Sequence, residues 1–365
     1  MIAKNRSPLL SWTGIVPVLA LVVLAVAWGR DLGVFPVVLV AIVLGATVLA
    51  AVHHAEVVAH RVGEPLGSLV LAVAVTIIEV ALIVTLMISG GPDTATLARD
   101  TVFAAVMITA NGIVGLSLLL GALRYDVTLF NSEGTGAALA TVATLATLSM
   151  VLPTFTTSHP GPEFSPAQLT FAALASLALY AMFVFTQTVR HRDFFLPVTE
   201  DGVVEEEEHA SPPSKKATVF SLVLLLIALI AVVGLAKVES PAIEAGVRAA
   251  GFPPSFVGVV IAMLVLLPET LAASRAALRE RVQISLNLGY GSAMASIGLT
   301  IPAIALASVW LKGPLELGLG PTQMVLLGLT VLVSVLTVVP GRATRLQGGV
   351  HLVLMAAFLF LAINP

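Results

Sequence analysis

Cysteine is absent from the 365 residues, which excludes a disulfide, a thiolate metal site and a cysteine nucleophile. Charge is scarce: Asp, Glu, Lys and Arg make up 11% of the chain, where a soluble domain of this length carries about a quarter. Aromatic residues are few, at 6%. No basic patch exceeds three residues, so nothing in the sequence calls for a nucleic-acid partner. No nucleotide loop of the form GxxxxGK[ST], zinc motif or pairing of a nucleophile with a base is found. These absences argue against an enzyme and against a pump driven by ATP. A net charge of -3 says little about partners.

What remains is apolar. Hydrophobic residues are 58% of the chain and the mean hydropathy is +1.03, which places it among integral membrane proteins surrounded by lipid. A helix needs about 20 apolar residues to cross a bilayer core. Eleven candidate spans are predicted, at 9–28, 34–52, 66–89, 101–122, 134–152, 167–189, 218–236, 255–274, 284–310, 322–339 and 347–363. The fold class is therefore all-α and polytopic. Lys4 and Arg6 before the first apolar stretch resemble a signal peptide, but no small-residue cleavage site follows, and the stretch reads as a retained span.

Residues 190–217 form the one plausible linker, charged and holding a Pro-Pro pair. With the N-terminus in the cytoplasm, most of the Lys and Arg residues fall on the cytoplasmic side, the bias expected of a cytoplasmic (inner) membrane protein. Eleven spans then put the C-terminus outside. Setting aside an N-terminal helix (1–30), five spans precede the linker (31–189) and five follow it (218–365). Five is odd, so the second group is predicted to be inverted relative to the first, an architecture common in secondary transporters.

Two carboxylates lie deep in predicted spans. Glu79 lies roughly 20 Å of helix past Leu66, and Glu269 lies equally far past Phe256. A charge at mid-membrane costs at least about 2.5 kcal/mol, and two carboxylates sharing a site repel. A bound cation removes that penalty, and so does a proton. The same atoms can then hold Ca2+ or H+ in turn. Ca2+ takes six to eight oxygen ligands, so two glutamates need help. Thr76, one turn before Glu79, is one candidate. Asn111, Asn287, Ser292 and Ser296, in the Gly- and Ser-rich spans that follow each glutamate, are others. Their alternative role is packing between close helices. Pro268, directly before Glu269, is predicted to break its helix and free backbone carbonyls.

The segments GEPLGSLVLAVAVTIIEV (63–80), MITANGIVGL (107–116) and LLPETLAASRAALRERVQISLNLGYGSAMASIGLTIP (266–302) resemble the bacterial Ca2+/H+ antiporters of the ChaA type, within the cation/Ca2+ exchanger superfamily. The resemblance runs from about Gly63 to the end of the chain. It implies that each five-helix half carries one alpha-repeat with an essential acid, here Glu79 and Glu269, binding the exchanged ion in alternation with protons, with no cofactor. It also leaves Na+ or K+ exchange open as an alternative. Where related exchangers carry Gly-Asn before the acid, this chain has Val75-Thr76 and Val265-Leu266.

Other charged groups have more ordinary readings. Glu205, Glu206, Glu207 and Glu208 form an acidic run in the linker, read as a solvated segment or as a calcium-collecting, regulatory patch. His53, Glu56 and His60 share a helical face, read as a juxtamembrane helix end rather than a transition-metal site, with a pH-sensing role left open because histidines titrate near neutrality. Arg275, Arg279 and Arg281 are read as headgroup anchors, and Glu64 and Glu133 as surface groups near span ends. A cation channel would also tolerate buried acids, but channels usually build rings from several subunits. The sequence sets no oligomeric state.

Overall fold

A computed structural model describes residues 11–30, 32–63, 66–90, 94–198, 212–310 and 313–365. The acidic run Glu205 to Glu208, and Glu64, lie outside the described residues. The chain is all-helical and polytopic. Its helices are α1 (Trp12–Ala27), α2 (Val34–Val62), α3 (Leu66–Gly90), α4 (Leu97–Tyr125), α5 (Ser132–Thr154), α6 (Pro166–Arg190), α7 (Lys215–Ala249), α8 (Phe256–Val265), α9 (Leu267–Ala277), α10 (Val282–Ala307), α11 (Pro321–Val338) and α12 (Arg345–Ile363). Among the described residues nine of these are long and apolar enough to cross a membrane, and α8 with α9 makes a tenth, broken span. The helix α1, at 16 residues, is shorter.

Helix ends follow the local chemistry. Ser165 caps α6 and Thr344 caps α12, each with a Gln one turn on that returns a hydrogen bond. Gly63, with φ of 75°, closes α2. The longest departure from the predicted spans is α7, which continues past position 236 as far as Ala249 and contains Pro241.

The chain packs as two compact units. One contains α1, α2, α3 and α7 up to Gly246; the other contains α4, α5, α6 and α8 to α12. Each unit draws on both sides of the linker, because spatial packing follows helix faces rather than sequence order.

In the first unit α1 lies along α2, and His54 ties three helices together. Its Nε2 is 2.9 Å from the Thr13 carbonyl and its Nδ1 is 3.2 Å from Ser221 Oγ. Gly234 lets Leu24 pack against α7; a Cβ there would sit 2.4 Å from a Leu24 methyl.

In the second unit α4 is the central helix, packed by α8, α9, α10 and α12. Where α4 meets α12, Gly115 and Gly348 permit close backbone contact: a Cβ on Gly348 would lie 2.6 Å from the Leu119 nitrogen. One end of the unit is stitched by a short antiparallel pair, β1 (Thr128–Leu129) with β2 (Arg342–Ala343), and by Arg345 donating to Asp126 at 2.7 Å. At another point Arg99 holds Asp100 at 2.9 Å and donates to the Gly318 carbonyl, which fixes the 313–320 segment.

Candidate functional site

The broken span is where the sequence places it. The helix α8 ends at Val265, Leu266 adopts φ -86° and ψ 1°, and α9 begins at Leu267, bent by 54°. Pro268 is the second residue of α9 and Glu269 the third. A proline in a first turn costs little, since its missing N–H has no helical acceptor to meet. The Leu264 carbonyl lies in the last turn of α8, and Pro268, four residues on, has no N–H to offer it. Thr270 fastens the other side of the break, donating to the Leu266 carbonyl from its nitrogen at 2.9 Å and from its hydroxyl at 2.7 Å.

The consequence is electrostatic. Glu269 is 8% exposed and lies in the first turn of α9, where the helix dipole favours a carboxylate. The carbonyl end of α8 points at the same break, and a helix C-terminus favours a cation. A carboxylate and a set of backbone carbonyls at one break make a hard-oxygen environment suited to a metal ion or a proton. The helix α9 is seated on α10 and α4, and Ser285 donates to the Ala273 carbonyl at 2.7 Å to fix it.

Glu79 is 2% exposed on α3. No proline interrupts that helix, which runs unbroken from Leu66 to Gly90. Thr76, one turn earlier, is buried too. Most threonines in these helices, such as Thr47, Thr101 and Thr109, donate to the carbonyl one turn back. Thr76 Oγ1 makes no hydrogen bond among the described residues.

Glu79 and Thr76 belong to the first unit. Glu269, Asn111, Asn287, Ser292 and Ser296 belong to the second. Ser296 is buried at the start of a π-helical turn, Ser296–Thr300, and Ser292 is partly buried one turn before it. Asn287 accepts from Gln283 at 2.9 Å and donates to the Phe195 carbonyl at 2.6 Å. Asn111 is fully buried in the π-helical turn Ile108–Ile113. Its Nδ2 donates to Thr330 at 2.9 Å and its Oδ1 lies 3.2 Å from His351 Nδ1. His351 Nε2 is 3.2 Å from Thr337. Asn111 therefore turns its amide toward α11 and α12, while a Cβ on Gly289 of α10 would lie 3.2 Å from Val114 on another face of α4.

Several features are not apparent from spans and spacing. Each helix that follows a glutamate helix, α4 and α10, carries a π turn near its middle. Such turns frequently mark functional sites, yet no residue type announces them. Glu239, on α7, is as buried as Glu79. It falls outside the predicted span because Lys237 and Pro241 end the apolar run. His53, Glu56 and His60 lie on the exposed side of α2, and no group of three His, Asp or Glu residues spaced to hold a metal occurs among the described residues.

Comparison with known proteins bears on the whole chain. The family described as sodium/calcium exchanger protein matches residues 30–189 and 220–364, on either side of the linker and excluding α1. The protein y4hA of Sinorhizobium fredii, described as an ionic transporter, is 46% identical over 97% of this chain and 96% of its own length. The sodium-potassium/proton antiporter ChaA of Escherichia coli is 36% identical over 94% of each chain. The crystal structure of the H+/Ca2+ exchanger CAX superposes with a TM-score of 0.70 at 16% identity, covering 95% of this chain and 86% of that one. With a buried glutamate on a membrane-length helix, a second at a helix break and family matches over both halves, the chain belongs to the sodium/calcium exchanger protein family.

Proposed function

We propose that the protein is a secondary active antiporter that exchanges cytoplasmic Ca2+ for external H+ by alternating access. In this reading Glu79 and Glu269 hold either the cation or protons, and two inverted five-helix halves carry one glutamate each. The carrying observation is Glu269, a nearly buried carboxylate in the first turn after a 54° break. A carboxylate there is stabilised by the helix dipole, while the carbonyl end of α8 favours a cation. The family's match to both halves supports the repeat. The charge bias of the loops supports an inner-membrane protein with its N-terminus in the cytoplasm. Thr76 Oγ1, buried and without a hydrogen bond among the described residues, is the supporting ligand favoured for Glu79. No cofactor is required, because the proton gradient supplies the energy.

A second reading is Na+ or K+ exchange for protons on the same fold, favoured by the name of the 36% identical relative. Reconstituted vesicles with an imposed pH gradient separate the two. Uptake of Ca2+, but not of Na+ or K+, is expected on the first reading. Glu79→Gln and Glu269→Gln should each abolish uptake, because an amide cannot trade a proton for a cation charge. Wild-type uptake in both variants would reject the site.

A further inference from the structure

Four carboxylates are almost completely buried among the described residues: Glu79, Asp100, Glu239 and Glu269. Asp100 is neutralised by Arg99 at 2.9 Å, and Glu79 and Glu269 are assigned to exchange. Glu239 has no such account. It is 2% exposed, and its Oε1 is buried without a hydrogen-bond partner among the described residues. It continues the buried stripe of α7 formed by Ala228, Val232 and Leu235.

Its position along the helix is set by geometry alone. Lys215 and Lys216 begin α7 at the linker side. From Lys216 to Glu239 the helix rises about 35 Å, slightly more than the thickness of a hydrocarbon core of about 30 Å. Glu239 therefore belongs to the membrane face opposite the linker, whichever side the linker occupies. The nearest cation in sequence does not neutralise it. Lys237 projects from another side of the helix, with Nζ 5.1 Å from the ring centroid of Trp28. Lys237 and Arg30 line an open cleft of about 390 Å³ between the end of α1 and residues 237–241 of α7. Of the other charged groups on this end of α7, Glu244 accepts from Ser240 at 3.4 Å, and Arg248 lies a further turn away.

A buried carboxylate without a counterion is costly to keep charged, and such a group is most cheaply held by taking up a proton. We propose that Glu239 is a proton-binding site at the membrane face opposite the linker, taking protons from the water on that side and loading the exchanger with them. The step is a protonation of a carboxylate to a carboxylic acid, reversed on release. It rests on the antiport reading above, and it adds a third acidic group to it.

The test uses the full chain reconstituted in vesicles, with Glu239→Gln and Glu239→Asp. Infrared difference spectra between two pH values should lose one protonated-carboxyl band in Glu239→Gln. Exchange in that variant should slow severalfold and respond less steeply than the parent to pH on the face opposite the linker. The KM for the cation on the linker face should stay unchanged. A Glu239→Gln protein that keeps the band, or that exchanges at the parent rate with the parent pH profile, overturns the proposal. Should Glu239→Gln not assemble, Glu239→Asp decides: a shifted pH profile is required, and a profile matching the parent's overturns the proposal. A parent protein that exchanges no ion contradicts the antiport reading instead, and the infrared band still reports on Glu239.

Discussion

His351 Nδ1 lies 3.2 Å from Asn111 Oδ1, joining α12 to the π turn of α4 inside a fully buried network. Because the asparagine oxygen can only accept, His351 must carry its proton on Nδ1. Nε2 then accepts from the Thr337 hydroxyl. Asn111 donates in turn to Thr330. Every member is satisfied while the network is neutral, the condition under which a buried polar cluster fixes structure rather than weakening it.

The first prediction follows from that sharing. Asn111→Ala and His351→Ala should each cost about 1–3 kcal/mol, the penalty for stranding a buried partner. The double variant should cost clearly less than the sum of the two. Thermal unfolding of the purified variants in detergent measures both quantities. If Asn111 instead ligates the cation directly, Asn111→Ala raises the KM for the cation while His351→Ala leaves it unchanged.

Pro268 should trade stability for function. In Pro268→Ala the restored N–H can reach the Leu264 carbonyl, and α8 can run on into α9. A proline in a first turn costs little, so Pro268→Ala is expected to leave the unfolding temperature nearly unchanged, or to raise it where the regained N–H makes a helical bond. Exchange should fall sharply, because Glu269 would leave its first-turn position and the carbonyl end of α8 would close. Full exchange in Pro268→Ala would show that the break is incidental.

Close packing of α4 on α12 gives a third expectation. A side chain at Gly348 must displace backbone, since its Cβ would stand 2.6 Å from the Leu119 nitrogen. Gly348→Leu should destabilise by about 1–3 kcal/mol, or prevent accumulation in the membrane. Gly349, where a Cβ would meet nothing within 4 Å, is the control: Gly349→Leu should be tolerated.

How far the sequence carries can be judged residue by residue. The run of apolar residues around Glu79 and the Pro268-Glu269 pair are legible because hydropathy and proline act locally. The helices α2 to α6 and α8 to α12 accordingly fall near their predicted positions, and the break lands at Leu266, just ahead of Pro268. The extension of α7 is not legible. Lys237, Glu239 and Pro241 read as a helix end, yet the helix continues to Ala249 and buries Glu239. The orientation of Asn111 is hidden for a different reason. In a π turn each residue is displaced around the axis relative to an α-helix, so helical spacing does not foretell which face Asn111 occupies. Its partners Thr330 and His351 come from helices near the far end of the chain, beyond the reach of any local pattern.

The central claim is that one set of carboxylate oxygens holds Ca2+ and protons in alternation. Proton release on addition of Ca2+ to the purified full chain, in weakly buffered detergent solution, tests it most directly. The wild-type protein should release protons, and the Glu79→Gln, Glu269→Gln double variant should release none. A wild-type protein that binds Ca2+ with no proton release, or a double variant that releases as many protons as the wild type, would contradict the account.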